Sequence, residues 1–195
     1  MTARTSTFAR TTGETSVSAT LTLDGTGAAD VRTGIGFLDH MLTALARHAR
    51  LDLALEATGD LEVDDHHTAE DAAIVLGQAL DAAFGDRSGI ARFGSAYAPL
   101  DESLARAVID LSGRAHASVD LGLRREMLGQ LACENVGHFF ITLAANARCA
   151  IHLDVLRGDN DHHRAEAAFK AFALALRQAV AIDGGAGVPS TKGVL

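Results

Sequence analysis

Two short stretches of the same design, DDHHTAED at residues 64–71 and NDHHRAEA at residues 160–167, organise this chain. Each holds His-His-x-x-Glu and opens an apolar pattern at helical spacing. One such motif is weak evidence, because adjacent histidines at a helix start are often solvated surface. Two matched copies predict a duplicated metal-binding element, with the candidate ligands His66, His67, Glu70, His162, His163 and Glu166.

Helical geometry separates the members of each motif. Successive residues turn about 100° around a helix, so His66 and Glu70 lie roughly 40° apart and share a face. His67 lies about 60° from Glu70 on the other side, and the two adjacent histidines diverge by about 100°. We therefore expect each pair to serve two ions, or one ion and a substrate, rather than to bind one ion together.

The duplication extends beyond the motifs, which are offset by 96 residues. The helix before each motif carries one more histidine, His40 in FLDHM and His138 in VGHFF, at an offset of 98. The sequence therefore predicts a single domain over residues 1–195, built from halves at about 1–88 and 89–183 with a tail at 184–195.

Hydrophobic periodicity predicts three strands, a helix, a strand and the motif helix in each half. In the first half the predicted strands cover 3–10, 14–23, about 28–33 and 51–58, with helices starting near 36 and at Asp64 or Asp65, the candidate N-caps. In the second half the predicted strands cover 93–100, 102–111, 114–121 and 148–156, with helices over about 131–146 and from the second motif to about 181.

Composition and charge limit the classes of partner that the chain is expected to bind. The formal charge of -8 argues against nucleic acid or an anionic membrane as the main partner. No apolar stretch reaches the roughly 20 residues of a membrane span, and the polar N-terminus lacks the apolar core of a signal peptide. Cys133 and Cys149 match no zinc spacing and indicate reduced, structural thiols. These features predict a cytoplasmic protein.

The repeat supplies eight candidate ligands, six histidines and two glutamates, which divide into two sites of three histidines and one glutamate each. Imidazole with carboxylate and without thiolate suits Mn, Fe, Co or Zn. Four protein ligands on an ion that prefers six leave positions for water or substrate, which is typical of a catalytic site. Three other histidines, His48, His116 and His152, have no repeat partner, and from the residues alone each is interpreted as structural.

Six phrases in one order resemble the imidazoleglycerol-phosphate dehydratase family: TGIGFLDHML, GDLEVDDHHTAED, RFGSAYAPLDE, DLSGR, GDNDHHRAEAAFKAFALALRQA and PSTKGVL. The resemblance covers about residues 10–195. It implies an α+β fold in which duplicated half-domains pack four helices between two four-stranded mixed sheets, like ribosomal protein S5 domain 2. It also implies a hydro-lyase of L-histidine biosynthesis that converts D-erythro-imidazole glycerol phosphate to imidazole acetol phosphate.

The resemblance implies two Mn²⁺ ions per active site and a homo-oligomer of 24 chains whose active sites are shared between subunits. It assigns metal binding to the eight repeat ligands, and catalysis to Glu14, Glu70 and Glu166. It implies substrate binding by Glu14, His48, Arg92, Arg114, Lys170, Ser190, Thr191 and Lys192. Without the resemblance, Arg92 and Arg114 would be interpreted as solvated loop charges, although guanidinium, hydroxyl and ammonium groups suit a phosphate dianion.

The implied chemistry explains the ligand set. The proton to be removed lies on a carbon that bears only a hydroxyl, so it is not acidic. A metal acts as Lewis acid and template, and nearby carboxylates transfer protons. Two other hypotheses stay open from the residues: a metal-storage cage, which the PSTKGVL tail argues against, and a di-metal phosphohydrolase, which usually needs bridging carboxylates that are scarce here.

Overall fold

The computed structural model describes residues 4–185 and 187–195, and in those residues the same series of elements occurs twice, with a short hairpin added in the second half. The first half contains β1 (Thr5–Thr11), β2 (Thr15–Thr22), β3 (Ala29–Arg32), α1 (Gly36–Ala49), β4 (Asp52–Gly59) and α2 (His66–Phe84). The second half contains β5 (Phe93–Leu100), β6 (Ser103–Asp110), β7 (His116–Asp120), β8 (Met127–Leu128), β9 (Leu131–Ala132), α3 (Cys133–Ala147), β10 (Ala150–Arg157) and α4 (Asp161–Ala179).

Each half forms one four-stranded mixed sheet, in the order β1-β2-β4-β3 or β5-β6-β10-β7. The last strand of each sheet pairs in parallel with its neighbour, and the other pairs are antiparallel. Side chains alternate between buried and exposed along β2 and β5, as the period-2 patterns predicted. The buried face of each sheet can therefore pack against the helices.

The four helices form the layer between the sheets. α1 and α2 pack on the first sheet, α3 and α4 pack on the second, and across the middle α1 contacts α4 while α2 contacts α3. The α2–α3 contact depends on Gly77, where an added Cβ would lie 2.6 Å from the Cβ of Asn146. The predicted α+β fold with duplicated halves is confirmed.

The core is largely aliphatic, and its most deeply buried aromatic side chains are four phenylalanines in α3 and α4, namely Phe139, Phe140, Phe169 and Phe172. Their rings contact one another in tilted or edge-on pairs with centroids 4.6–5.8 Å apart. Both cysteines are buried and unpaired, and burial raises the pKa of the Cys149 thiol to about 12. No described helix combines the length and apolar character needed to cross a membrane.

Several predicted boundaries were wrong by a few residues. The helix predicted from 131 begins at Cys133, because Leu131 and Ala132 pair with β8 in a two-residue hairpin. Gly129 makes the turn at φ 63°, a conformation that favours glycine. α4 ends at Ala179 rather than 181, and β7 begins at His116 rather than 114. The predicted first strand included residue 3 and the tail includes residue 186; both lie outside the described residues.

Candidate metal and substrate site

Each motif helix begins with two polar residues that have different tasks. Asn160 Oδ1 accepts a hydrogen bond from the backbone N–H of His162 at 2.9 Å, and Asp64 Oδ1 accepts one from His66 at 2.8 Å. Of the two candidate caps in the first motif, Asp65 occupies the N-cap position without a side-chain capping bond, and Asp64 binds the first helical N–H from one residue earlier. The next residue, Asp65, accepts the backbone N–H of Ala132 at 2.7 Å and ties the start of α2 to α3.

The first cluster joins α2 to α3. His138 Nε2 lies 2.8 Å from Glu70 Oε1, and the His66 and His138 rings stack with centroids 4.9 Å apart. Asn135 Oδ1 lies 2.9 Å from His66 Nδ1. With the amide oxygen accepting from Nδ1–H, the neutral ring keeps its lone pair on Nε2. One ligand atom from each of His66, Glu70 and His138 lies within 4.8 Å of the others.

The second cluster joins α1 to α4. Glu166 Oε2 lies 3.3 Å from His40 Nε2 and 3.2 Å from His162 Nε2, and the three ligand atoms lie within 4.8 Å of one another. Lys170 Nζ pairs with the other carboxylate oxygen at 2.7 Å. Burial raises the pKa of Glu166, but Lys170 and His40 outweigh it, so the net pKa is lowered. Glu166 is therefore an anion at neutral pH.

The second histidine of each motif lies outside these clusters. His67 Nδ1 is 3.0 Å from Asp60 Oδ2, and His163 Nδ1 is 2.7 Å from Glu102 Oε2. The hydrogen bond to the carboxylate raises the pKa of each imidazole. A single chain thus brings together two histidines and one glutamate per cluster, and places the third predicted histidine of each site elsewhere.

Both clusters fit a divalent ion. Their donors are imidazole nitrogens and a carboxylate, the set that suits Mn, Fe, Co or Zn. In each cluster the donors already converge on one point between two helices, and no thiol takes part. Three protein ligands leave coordination positions for a fourth protein group and for substrate, as in catalytic metal sites.

Glu14 lies beside His67 in the turn between β1 and β2. Its side chain is 58% exposed, and its Oε2 is 3.7 Å from His67 Nδ1, which is beyond hydrogen-bond distance. One ligand atom of each of Glu14, Asp60 and His67 lies within 4.8 Å of the others. This exposed carboxylate is accessible to a bound molecule.

His48 lies half-buried in the last turn of α1. Burial lowers the pKa of this imidazole, and the positive charge of Lys170 lowers it further. The structure therefore places two residues of the implied substrate set, His48 and Lys170, along the same helix pair as the second cluster.

Arg92 is held firmly at the start of β5. Its guanidinium forms two hydrogen bonds with Asp110, at 2.7 and 3.1 Å, and its Nη1 donates to the carbonyl of Pro189 at 2.8 Å. Its backbone N–H donates to Ala179 O at 2.9 Å, at the C-terminal end of α4. Arg92 thus anchors the C-terminal tail beside the end of α4.

The tail passes close to Arg114. A Cβ on Gly113 would lie 2.6 Å from the terminal carbon of Leu195, so the end of the chain reaches the β6–β7 loop. Arg114 is exposed, and Lys192 donates its backbone N–H to Ser190 Oγ at 3.2 Å in a tight turn. Thr191 and Lys192 are exposed, and the tail that carries them runs from Pro189 beside Arg92 to Leu195 beside the loop of Arg114.

Reasoning from the sequence missed the partners of the histidines. Asp60 appeared only in a family phrase, Glu102 at the start of a predicted strand and Asn135 within a predicted helix, and none of the three was given a role at the site. At the 96-residue offset of the motifs, Asp60 matches Leu156, so the motif repeat does not point to Asp60. Their proximity to imidazoles is a property of the tertiary structure.

Comparison with known proteins points to one family. The model of the imidazoleglycerol-phosphate dehydratase family matches residues 33–176. A relative of that name from Chlorobium luteolum is 57% identical over 192 residues, covering 98% of this chain and 96% of its own length. One from Phytophthora nicotianae is 61% identical over 188 residues, covering 96% of this chain, which spans 42% of that longer protein.

Two solved structures share the fold. Imidazoleglycerol-phosphate dehydratase from Staphylococcus aureus superposes with a TM-score of 0.83 at 40% identity, covering 91% of this chain and 99% of its own. The enzyme IGPD from Pyrococcus furiosus superposes with a TM-score of 0.83 at 37% identity, covering 96% of this chain and 100% of its own. The chain therefore belongs to the imidazoleglycerol-phosphate dehydratase family.

Proposed function

We propose that this chain removes water from D-erythro-imidazole glycerol phosphate to give imidazole acetol phosphate, a cytoplasmic step of L-histidine biosynthesis that depends on Mn²⁺. The observation that carries the metal dependence is the pair of clusters, each with two imidazoles and one carboxylate converging between two helices. The family supplies the substrate, a small phosphorylated imidazole.

Two ions per active site would be held by the two clusters. His66, Glu70 and His138 would hold one, and the trio on α1 and α4 would hold the other. A bound Mn²⁺ supplies Lewis acidity that polarises the substrate and makes its carbon-bound proton removable. Because Glu70 and Glu166 already contact imidazoles, both act first as ligands and only second as proton carriers.

Glu14 is the carboxylate best placed to move the proton. It is exposed, close to His67 and free of side-chain hydrogen bonds among the described residues, so a substrate oxygen or carbon can approach Oε2. Thr12 Oγ1 accepts the backbone N–H of Glu14 at 3.1 Å, which fixes the turn that carries it. Its role is general acid or base at the substrate.

The substrate phosphate would bind Arg92, Arg114 and the tail. Asp110 holds the Arg92 guanidinium in a fixed orientation, and the Pro189 carbonyl keeps the tail next to it. A hydroxyl at Ser190 and an ammonium at Lys192 complete a donor set that matches a phosphate dianion.

Within one chain, the proposed phosphate-binding Arg92 and the metal ligands of α4 lie near opposite ends of that helix. Arg92 lies at the C-terminal end of α4, where it bonds Ala179, whereas His162 lies in the first turn. Seventeen residues of helix span about 25 Å. A ring with a three-carbon phosphate chain is much shorter, which supports an active site that combines groups from different chains.

The orientation of the second histidines supports the same sharing. His67 and His163 belong to the predicted ligand set but lie outside the clusters of their own chain. Each can supply the missing imidazole to an ion held by a neighbouring subunit. We infer a closed homo-oligomer of 24 such chains, in which every site is completed by contact between subunits.

Incubation of the Mn²⁺-loaded protein with imidazole glycerol phosphate tests the function. Dehydration yields a ketone without free phosphate, a phosphohydrolase yields free phosphate, and a storage cage yields neither. A metal-depleted sample and the same sample with Mn²⁺ restored provide the matched control. Ketone formation by the depleted sample at the full rate would contradict the role of the metal.

A further inference from the structure

His67 and His163 share a feature that sets them apart within the ligand set. In each ring Nδ1 contacts a carboxylate of the same chain, Asp60 at 3.0 Å or Glu102 at 2.7 Å. A carboxylate only accepts hydrogen bonds, so Nδ1 carries the hydrogen. The lone pair of the neutral ring then lies on Nε2, on the far side from the carboxylate.

The two carboxylates come from different places in the duplicated halves. Asp60 follows β4 in the loop before α2, whereas Glu102 lies in the turn between β5 and β6. The position that matches Glu102 in the first half is Glu14, since Glu14 precedes the first residue of β2 as Glu102 precedes the first residue of β6. The same ring orientation is thus achieved twice with non-equivalent residues.

We propose that Asp60 and Glu102 are positioning residues, which fix the tautomer and direction of His67 and His163 so that each Nε2 can bind a metal ion. This inference rests on the metal role proposed above. Hydrogen bonds of this kind orient ligating imidazoles in many metal sites, and losing them typically weakens metal binding about 10–100-fold.

The arrangement also explains why Glu14 is available to the substrate, whereas Glu102, the matching residue of the second half, is not. Glu102 Oε1 accepts the backbone N–H groups of Asp159 and Asn160 at 3.1 and 2.9 Å, while Oε2 contacts His163. Both oxygens of Glu102 are occupied. Because Asp60 contacts His67 in the first half, Glu14 makes no such bond and stays exposed.

Asp60 is suited to the single task of orienting His67. Its Oδ2 contacts His67, and its Oδ1 is buried without a hydrogen-bond partner in the described residues. A buried carboxylate oxygen without a partner is costly to keep. The side chain therefore has little other structural use, and replacing it tests orientation more cleanly than replacing Glu102.

The first test replaces Asp60 by alanine and uses Glu62→Ala as the matched control. Glu62 lies in the same loop and is exposed, so its loss removes an equal charge without touching an imidazole. Manganese titration of metal-depleted protein, followed by electron paramagnetic resonance, gives the dissociation constant. We expect Asp60→Ala to raise it 10–100-fold, and Glu62→Ala to leave it within twofold of the parent.

The second test uses Glu102→Gln. The amide oxygen of the glutamine can still accept the backbone N–H groups of Asp159 and Asn160, so the loop stays in place. The amide NH₂ then faces His163 Nδ1, which must accept, and the hydrogen moves to Nε2, the ligand atom. We expect weaker Mn²⁺ binding of the same order, with the melting temperature of the metal-free protein unchanged.

The outcomes separate the two proposals. If the parent takes up Mn²⁺ and the dissociation constants of Asp60→Ala and Glu102→Gln equal that of the parent, the positioning role alone is overturned. A lower metal-free melting temperature with unchanged affinity would assign the two carboxylates to folding and also overturn it. A parent that takes up no Mn²⁺ would overturn the metal role and this inference with it.

Discussion

His40 and Glu166 are separated by 126 positions in the sequence, yet their side chains meet with Nε2 and Oε2 3.3 Å apart. The contact joins the first helix of one half to the motif helix of the other. His138 and Glu70 form the reciprocal contact at 2.8 Å. Each cluster therefore draws ligands from both halves, and neither half can assemble a cluster alone.

Both copies of the motif should be essential. We expect His66→Ala and His162→Ala each to abolish turnover and to lower the manganese content per chain, because each removes one of three ligands from a different cluster. His116→Ala is the control, since His116 is an exposed residue of β7 outside both clusters. Metal analysis and steady-state kinetics provide the readout. Near-parental kcat with full metal in either cluster variant would show that its copy is dispensable.

Metal removal should change the size of the particle. If a neighbour's His67 or His163 completes each site, the ion is part of the subunit interface, and its binding energy contributes to assembly. We expect chelation to give smaller oligomers in sedimentation velocity, and added Mn²⁺ to restore both particle size and activity. An unchanged particle after complete metal removal would contradict ligands shared between chains.

The tail should act on substrate binding. A charge-assisted contact to phosphate is typically worth about 1.5–3 kcal/mol, so Lys192→Ala should lower kcat/KM about ten- to a hundredfold. Metal content and particle size should stay at parental values, because Lys192 lies at the opposite end of α4 from His162. Arg32→Ala, which removes a cation from an exposed surface pair with Asp30, is the control.

Truncation after Gly187 extends this test. It removes Ser190, Lys192 and the Pro189 carbonyl that accepts from Arg92 at 2.8 Å. We therefore expect a larger loss of kcat/KM than with Lys192→Ala alone. Activity within a factor of two of the full chain would leave the tail without a role in catalysis.

The buried thiol of Cys149 should make stability depend on alkaline pH. Burial raises its pKa from 9.0 to about 12 in the folded chain. Above pH 9 the unfolded chain releases a proton that the folded chain keeps, so stability falls as pH rises. From pH 7 to pH 10 we expect the parent to lose about 1.4 kcal/mol more unfolding free energy than Cys149→Ala. If denaturant titrations at pH 7 and pH 10 show that the parent and Cys149→Ala lose the same unfolding free energy, the burial of this thiol is contradicted.

Local patterns in the sequence were enough to predict the secondary-structure elements and the candidate metal ligands. Strand alternation and helical spacing located the strands of both sheets and the four helices, because burial of one face imposes those periods directly on the chain. The repeat of His-His-x-x-Glu, with His40 and His138 at matching places, identified every residue that the structure brings into the two metal clusters. The hairpin of β8 and β9 escaped this reasoning, since two residues per strand are too short to show a period.

Tertiary structure alone decided which residues meet. Helical geometry predicted that His66 and His67 diverge, but only the packing of α2 on α3 and of α1 on α4 shows that each cluster combines both halves. The partners Asp60 and Glu102 lie in loops without periodicity, at positions of the two halves that do not correspond to each other. Contacts of this kind depend on the folded path of the chain, so no spacing along the sequence encodes them.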